Sequence, residues 1–551
     1  MNVPNQRQPS VNPHDFGMTP RSDVPRSRFD ISHGHKCPFS FSNLIPILTE
    51  EVLPGDTWKV GISVAARTAI PIVPIQDNWH LEFFSYFVPM RLLWANANRF
   101  WGEQDSPSDS TSYQIPQCVS PVGGFPINTI FDYMGLPTVG QVGGANTITV
   151  NALPLRAYNL IYNQCFKDEN LQNYQGTLMP GNDGPDAVAN FALQQRGKRF
   201  DYITQALPWP QKGNTAVSLP LAGSAIVIPN PSITPPVPRF RSTPDTAFRT
   251  LRGTAGATTI AWSGNVQTTG DMQWENSTPG AATNTALIAD LTTATAATVN
   301  QLRQAITLQQ YLEKDARGGT RYTEFVFNHF GVRSPDARLQ RPEFIGGGHA
   351  NINTTAIPQT SATGLTGGTT PIGNLAATGH VKGGTGFTYS ATEHGFILTL
   401  VSARADLSYQ QGMRKMWKRS TRYDYPVPLL ANLGEQALSN YEVFCDGSAN
   451  DGNVFGYVPR WDEYRSIGSR VTGFYRSTSA GTIDYWHSSQ KFAALPTLNA
   501  TFITDDSRTV LQRNFSAGLA TANQQVLADF YFSGSVTRAL PAYGEPGLRR
   551  L

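Results

Sequence analysis

The stretch TWKVGISVAART (57–68) alternates apolar and polar residues through Trp58, Val60, Ile62 and Val64, and no other feature limits the fold more. Side chains on a strand point alternately to opposite faces, so this pattern specifies a half-buried β-strand. Pro54-Gly55-Asp56 just before it is a turn: proline presets one position and glycine relaxes another. The run WHLEFFSYFV (79–88) alternates less cleanly and is dense in aromatics, which predicts a strand covered on both faces and stopped by Pro89. Strand character returns near the other end, in GFILTLVSARADLSY (395–409), SRVTGFY (469–475) and VLADFYFSGSVTRAL (526–540). Strands at both ends with helices and loops between them predict one β-sandwich closed by distant segments. The expected class is mainly β: a single eight-stranded antiparallel jelly roll, with large loop insertions containing a few helices.

Three stretches predict helix. IFDYMGLP (130–137) ends in Gly135 and Pro137, a stop pattern. LPLRAYNLIYNQCFKD (153–168) places Leu155, Tyr158, Ile161/Tyr162 and Cys165 at three-to-four spacing. TVNQLRQAITLQQYLEKDARGG (298–319) lines Val299, Leu302, Ala305/Ile306 and Leu312 on one face, with Gly318-Gly319 as a C-cap.

At 551 residues the chain exceeds what one core usually organises, so insertions are expected. Residues 1–36, with prolines 4, 9, 13, 20 and 25, read as an extended N-terminal arm, because proline fixes φ and removes a donor. Residues 37–213 carry the first strands and helical loops. Residues 214–297 are rich in Ser, Thr, Gly and Ala with sparse charge, which predicts an insertion protruding from the surface. Residues 298–551 hold a helical insertion, the remaining strands and a C-terminal arm. A second Gly/Thr-rich tract, 362–386, reads as another loop insertion.

The chemistry of catalysis is not visible. There is no phosphate-binding loop after Gly197-Lys198, no nucleophile elbow and no HExxH. His33-Gly34-His35-Lys36-Cys37 is the nearest approach to a metal motif, and reads as an arm meeting its first strand. Gly346-Gly347-Gly348-His349 reads as a loop tip. Asp462-Glu463 and Glu50-Glu51 offer the carboxylates a glycosidase needs, but adjacent strand residues face opposite ways. No catalytic residue, cofactor site or metal site is assigned. Cys37, Cys118, Cys165 and Cys445 lie far apart and are expected to be reduced. The polar, proline-bearing N-terminus does not read as a secretory signal, and no run approaches the ~18 apolar residues of a membrane span, so a soluble chain made in a cytoplasm is expected.

With 43 Lys and Arg against 40 Asp and Glu, net charge alone does not mark a nucleic-acid binder. One segment does: within MRKMWKRSTRYDY (413–425), Arg414, Lys415, Lys418, Arg419 and Arg422 are five cations in nine residues without an acid, beside Trp417 and Tyr423. Cations neutralise phosphates and aromatic faces accept stacked bases, so Arg414, Lys415, Trp417, Lys418, Arg419 and Arg422 are candidate contacts to single-stranded DNA. The competing readings are a solvated face or a subunit contact.

The segments SRFDISHGHK (27–36), FVPMRLLWANANRFWGE (87–103), LPLRAYNLIYNQ (153–164), DARGGTRYTEFVFNHFGVRSPDARLQRPEFIGGG (315–348), EHGFILTLVSARADLSYQQGMRKMW (393–417) and FGYVPRWDEYR (455–465) carry a resemblance. The chain resembles the major capsid proteins of the Microviridae, within them the gokushovirus-like group. The resemblance implies a viral-capsid jelly roll without enzymatic activity. It implies a homo-oligomer of about sixty copies in a T=1 icosahedral shell around a circular single-stranded DNA genome. It further implies a small basic DNA-packaging protein, a scaffolding protein, a pilot protein and a host cell-surface receptor as partners, no membrane, and assembly in a bacterial cytoplasm into the virion. The insertion would project outward at threefold axes.

Overall fold

The computed structural model describes residues 26–110, 112–176, 183–212, 299–318, 324, 327–329, 340–358, 375–516 and 524–543, and the backbone of six short strands between 226 and 290. The chain divides into two compact units, residues 1–210 with 315–551, and residues 211–314.

The larger unit is built on one antiparallel sheet of nine strands: β1 (Ser27–Asp30), β2 (His33–Phe39), β3 (Ile45–Val52), β4 (Thr57–Thr68), β5 (Trp79–Pro89), β6 (Glu343–Pro358), β7 (Leu375–Ser390), β8 (Gly395–Ala405) and β9 (Val526–Arg538). Its order is β1-β9-β4-β7-β6-β5-β8-β3, with β2 also paired to β9. Apart from the β6–β7 hairpin, strands that touch are far apart in sequence, as a jelly roll requires. The sheet has nine strands where eight were expected, because β1 and β2 run one after the other along the same edge of β9.

β4 alternates as its sequence demands, with Trp58, Val60, Ile62, Val64, Ala66 and Thr68 buried. All but Thr68 join Phe83, Phe530, Phe532, Ile397 and Val401 in the main core, which the curled sheet encloses. All eleven residues of β8 are buried. Its odd-numbered Ile397, Val401 and Ala403 face that core, and its even-numbered Phe396, Leu398 and Leu400 face a second one. This second core packs β5 and β8 against helix α1 (Leu153–Ile161), whose Leu155, Tyr158 and Ile161 are fully buried. The aromatic run of β5 is thus covered on both faces in its second half, as expected.

The structure corrects five readings. Cys165 leaves the predicted helical stripe and is exposed, because Tyr162–Phe166 is a π-helical turn whose wider winding rotates later residues off the face. Residues 469–475 form no strand: Gly473 takes φ +64° and opens the 3-10 turn Gly473–Tyr475, whose Tyr475 hydroxyl donates to Gln76 Oε1 at 3.0 Å. Residues 406–409 lie beyond the end of β8. The tract 362–386 is not a loop throughout: 362–374 lies outside the described residues, but 375–386 belongs to β7. Gly346-Gly347-Gly348-His349 is likewise not a loop tip but the middle of β6.

The helix expected at 298–319 is present as α2 (Val299–Arg317). Its apolar stripe is open among the described residues, with Val299 74% and Ile306 51% exposed, and only Ala316 is buried. Within the smaller unit the backbone forms a four-stranded sheet, in the order Ile260–Trp262, Arg249–Gly253, Arg239–Ser242, Met272–Trp274, and a separate pair of Ile226–Pro229 with Leu287–Asp290. None of the four cysteines forms a disulfide. No helix of the described residues is long and apolar enough to cross a membrane.

Candidate nucleic-acid interface

The basic segment rests on a small third core of Ile203, Leu438, Val443, Phe455, Val458 and Phe502, built on the antiparallel pair Glu435–Ser439 and Val454–Pro459. Met413 N donates to Tyr441 O at 2.7 Å and anchors the segment's start. Lys415–Lys418 is one 3-10 turn. A second, Arg422–Asp424, is fixed by a capping box in which Asp424 accepts from the backbone of Ser420 and Thr421. Those bonds hold the Asp424 carboxyl below its ordinary value.

The five cations divide into two groups. Arg419 turns inward: its guanidinium donates to Glu463 Oε1 at 2.8 Å and to the Tyr464 hydroxyl at 2.6 Å, and only 7% of its side chain is exposed. Glu463 is itself held by Gln436 Nε2 at 2.6 Å, so the pair is fixed from both sides. Lys415 Nζ donates to Ala437 O at 3.1 Å and lies 3.9 Å from Glu442. Burial raises the Glu442 carboxyl above its ordinary value, while Lys415 and the Tyr202 hydroxyl oppose that shift. These two cations tie the segment to the subunit.

Arg414, Lys418 and Arg422 lie on the surface side, Arg414 half-buried and the other two exposed. Lys418 Nζ sits 5.7 Å above the Tyr441 ring, and the Arg422 guanidinium 4.8 Å over Tyr423. Trp417, 70% exposed, stands among them with Tyr423 and Tyr425 also exposed. The arrangement offers surface positive charge next to exposed aromatic rings, which is what a single strand's phosphates and bases require.

The other motifs resolve into structural roles. His33 stacks on Phe532, His35 Nδ1 is bonded to Ile47 O at 2.9 Å, and burial pushes the Cys37 thiol up to about 12. Among the described residues no three metal-ligating side chains converge. Asp462 accepts from Gln205, and Glu463 belongs to Arg419, so this carboxylate pair is already engaged. Lys198 lies 4.3 Å from the Phe502 ring centre, with Tyr409 and Phe492 beside it, and burial lowers its ammonium to about 8.

Sequence reasoning missed one cluster altogether. Glu82, on the outer face of β5, meets Arg404 at 2.9 Å, Arg199 at 3.3 Å, and Arg196. Arg199 also reaches Asp406 at 2.8 Å. The one available signal was a lone carboxylate inside an aromatic strand, since such a group persists only when cations meet it.

A family model described as capsid protein (F protein) matches residues 17–548. The chain is 41% identical over 540 residues to the capsid protein VP1 of Bdellovibrio phage phiMH2K, covering 97% of this chain and 98% of that one. It is 38% identical to the capsid protein VP1 of Chlamydia phage 1, with 99% of each chain covered. To the capsid protein VP1 of Spiroplasma virus 4 it is 34% identical, with 98% of each covered.

Proposed function

We propose, since this chain belongs to the capsid protein (F protein) family of the Microviridae, that about sixty copies close into one T=1 icosahedral shell around a circular single-stranded DNA genome. A structural role in a phage capsid is the family's role, and no enzymatic step is assigned. The observation that carries the reading is whole-length similarity to capsid proteins, joined to a jelly roll whose long insertions leave room for extended subunit contacts. At +3 per chain, about sixty copies carry roughly 180 positive charges against on the order of thousands of phosphates. That deficit calls for counter-ions or a small basic DNA-packaging protein. A scaffolding protein, a pilot protein and a host receptor complete the set of partners proposed, with assembly in the bacterial cytoplasm. Residues 214–297 would protrude from the outer surface.

The test is co-expression with the neighbouring viral genes, followed by sedimentation and electron microscopy. Uniform particles about 25–30 nm across are expected if about sixty subunits close one shell, and removal of 230–286 is expected to erase outer density only. A monomer that forms no higher species with its scaffolding partner present would sink the shell.

Within the shell, Arg414, Trp417, Lys418 and Arg422 would face DNA, with Lys415 and Arg419 holding the segment in place. Reversing the charge of Arg414 and Lys418 together is expected to lower packaged DNA several-fold while empty shells still form. Normal DNA content in those particles would remove the contact. A second reading rests on the exposed Val427, Leu429 and Leu433 that follow: the loop beyond Tyr425 would pack against a neighbouring subunit. In that case the same variants would lose shells and DNA together.

A further inference from the structure

The outer face of β9, β4, β7, β6 and β5 is continuous, and its cross-strand rows follow from the register. One row carries Ser533, Gly61 and Gly386. The β6–β7 register extends to bring Gly347 next, opposite Phe84 of β5. The adjoining row carries Tyr531, Ser63 and Gly384, then His349 opposite Glu82. Across β4 and β7 neither row holds a side chain larger than serine, so the floor is almost bare backbone. On the β9 side this floor forms part of a cavity of about 920 Å³ whose lining also includes Arg28, Asp30 and Lys59. On the β5 side it opens into one of about 380 Å³ lined by His80, Arg196, Arg199 and His349.

Charge on this face is one-sided. Its acids are engaged: Asp529 pairs with Lys36 at 3.0 Å, Asp30 accepts from Ser32, and Glu82 and Asp406 are held by the arginines. Lys59, Arg67 and Lys382 are exposed on the same outward positions of β4 and β7, and no ion pair forms at them among the described residues. Tyr531, 54% exposed, presents its ring in the trough.

We infer that this trough is a track for the sugar–phosphate backbone of a single-stranded polynucleotide, separate from the 413–425 segment. Glycine and serine let a chain lie close to the sheet, the exposed cations flank it, and Tyr531 offers a stacking face. Five strands about 4.8 Å apart give a track about 20 Å long, enough for several nucleotides. Its large exposed apolar groups, Leu527 on β9 and Phe344 and Ile357 near opposite ends of β6, stand singly and form no contiguous patch of the kind a protein partner covers. The inference rests on the reading that the shell encloses such a strand.

The experiment uses assembled particles whose genome carries bromodeoxyuridine. After ultraviolet irradiation, crosslinked peptides are mapped by mass spectrometry. The expected result is a crosslink in the peptide containing Tyr531, reduced about tenfold in particles carrying Lys59→Gln, Arg67→Gln and Lys382→Gln together. The unaltered particle alone decides the point if that variant fails to assemble. Crosslinks confined to 413–425 or elsewhere, with the Tyr531 peptide unmodified, would overturn the track and leave the genome reading standing. Particles that contain no nucleic acid would overturn both.

Discussion

Gly386→Val is expected to leave no soluble subunit and no particles. A Cβ at Gly386 would sit 2.8 Å from Val60 O, and one at Gly384 2.7 Å from Ile62 O. Both oxygens belong to the backbone of β4, which is hydrogen-bonded on its other edge to β9 and cannot step aside without breaking that ladder. Overpacking of this kind costs about 1–3 kcal/mol for one methyl group when side chains can adjust. Here the obstacle is backbone, and valine adds two further methyl groups to it. A domain with about 5–15 kcal/mol in hand does not absorb that at the centre of its main sheet. Gly384→Ala and Gly386→Ala are expected to cost about 2 kcal/mol each, read as a lower urea midpoint. Gly452→Ala, where an added Cβ meets nothing within 4 Å, is the control and should stay within about 0.5 kcal/mol. A Gly386→Val subunit that folds with an unchanged midpoint would show that β7 does not lie against β4 as described.

Glu82→Gln is expected to destabilise the subunit by about 3–5 kcal/mol, the cost of removing one partner from a buried ionic cluster. Glu82 has 13% of its side chain exposed and Arg404 7%, so water reaches this pair poorly, and only Arg199, 47% exposed, can turn to solvent instead. Burial and the neighbouring Arg404 already hold the Arg196 guanidinium below its ordinary value, and burial with Arg199 does the same to Arg404. Without Glu82 three guanidinium groups share Asp406 and the buried Asp505, and their repulsion is left largely unbalanced. The exposed pair Arg99–Asp105 gives the contrast: Asp105→Asn should leave the urea midpoint essentially unchanged, because solvent screens it. Equal effects of the two substitutions in urea unfolding would mean that the Glu82 cluster is open to water.

Much of this fold was legible before any coordinates. β4 declared itself through strict alternation and its Pro54-Gly55 turn, and β9 through a weaker version of the same pattern. The helical turn at Ile130–Tyr133 ends where Gly135, at φ +83°, predicts. What misled was composition taken without register. The glycines of β7 and β6 looked like loop residues because glycine is common in loops. They stand in strands where a Cβ would press on a neighbouring backbone oxygen, as at Gly347, Gly384 and Gly386, or on a neighbouring side chain, as at Gly348 and Gly383. SRVTGFY alternates as well as many strands do, but has no strand beside it, and Gly473 bends it away.

The basic segment was legible as a cluster and illegible as a site. Five cations in nine residues are visible in the sequence, but which of them face solvent is not. Arg419 turns inward because Glu463 and Tyr464, more than forty residues later, arrive at its side. Lys418 and Trp417 stay outward because nothing comparable reaches them.

By itself the sequence determined that β4, β5, β8 and β9 are extended, which faces of them are apolar, and, through its motifs, the capsid family. Those properties are local: side-chain period and turn chemistry act over a few residues, and a motif needs no partner to be recognised. The tertiary structure alone decided that β4 lies between β9 and β7, that Gly384 and Gly386 are obligatory, and that Glu82 gathers three arginines. Each of these joins residues distant along the chain. Apolar periodicity says that a face must be covered and leaves open what covers it; the choice falls to packing and charge pairing in the closed core.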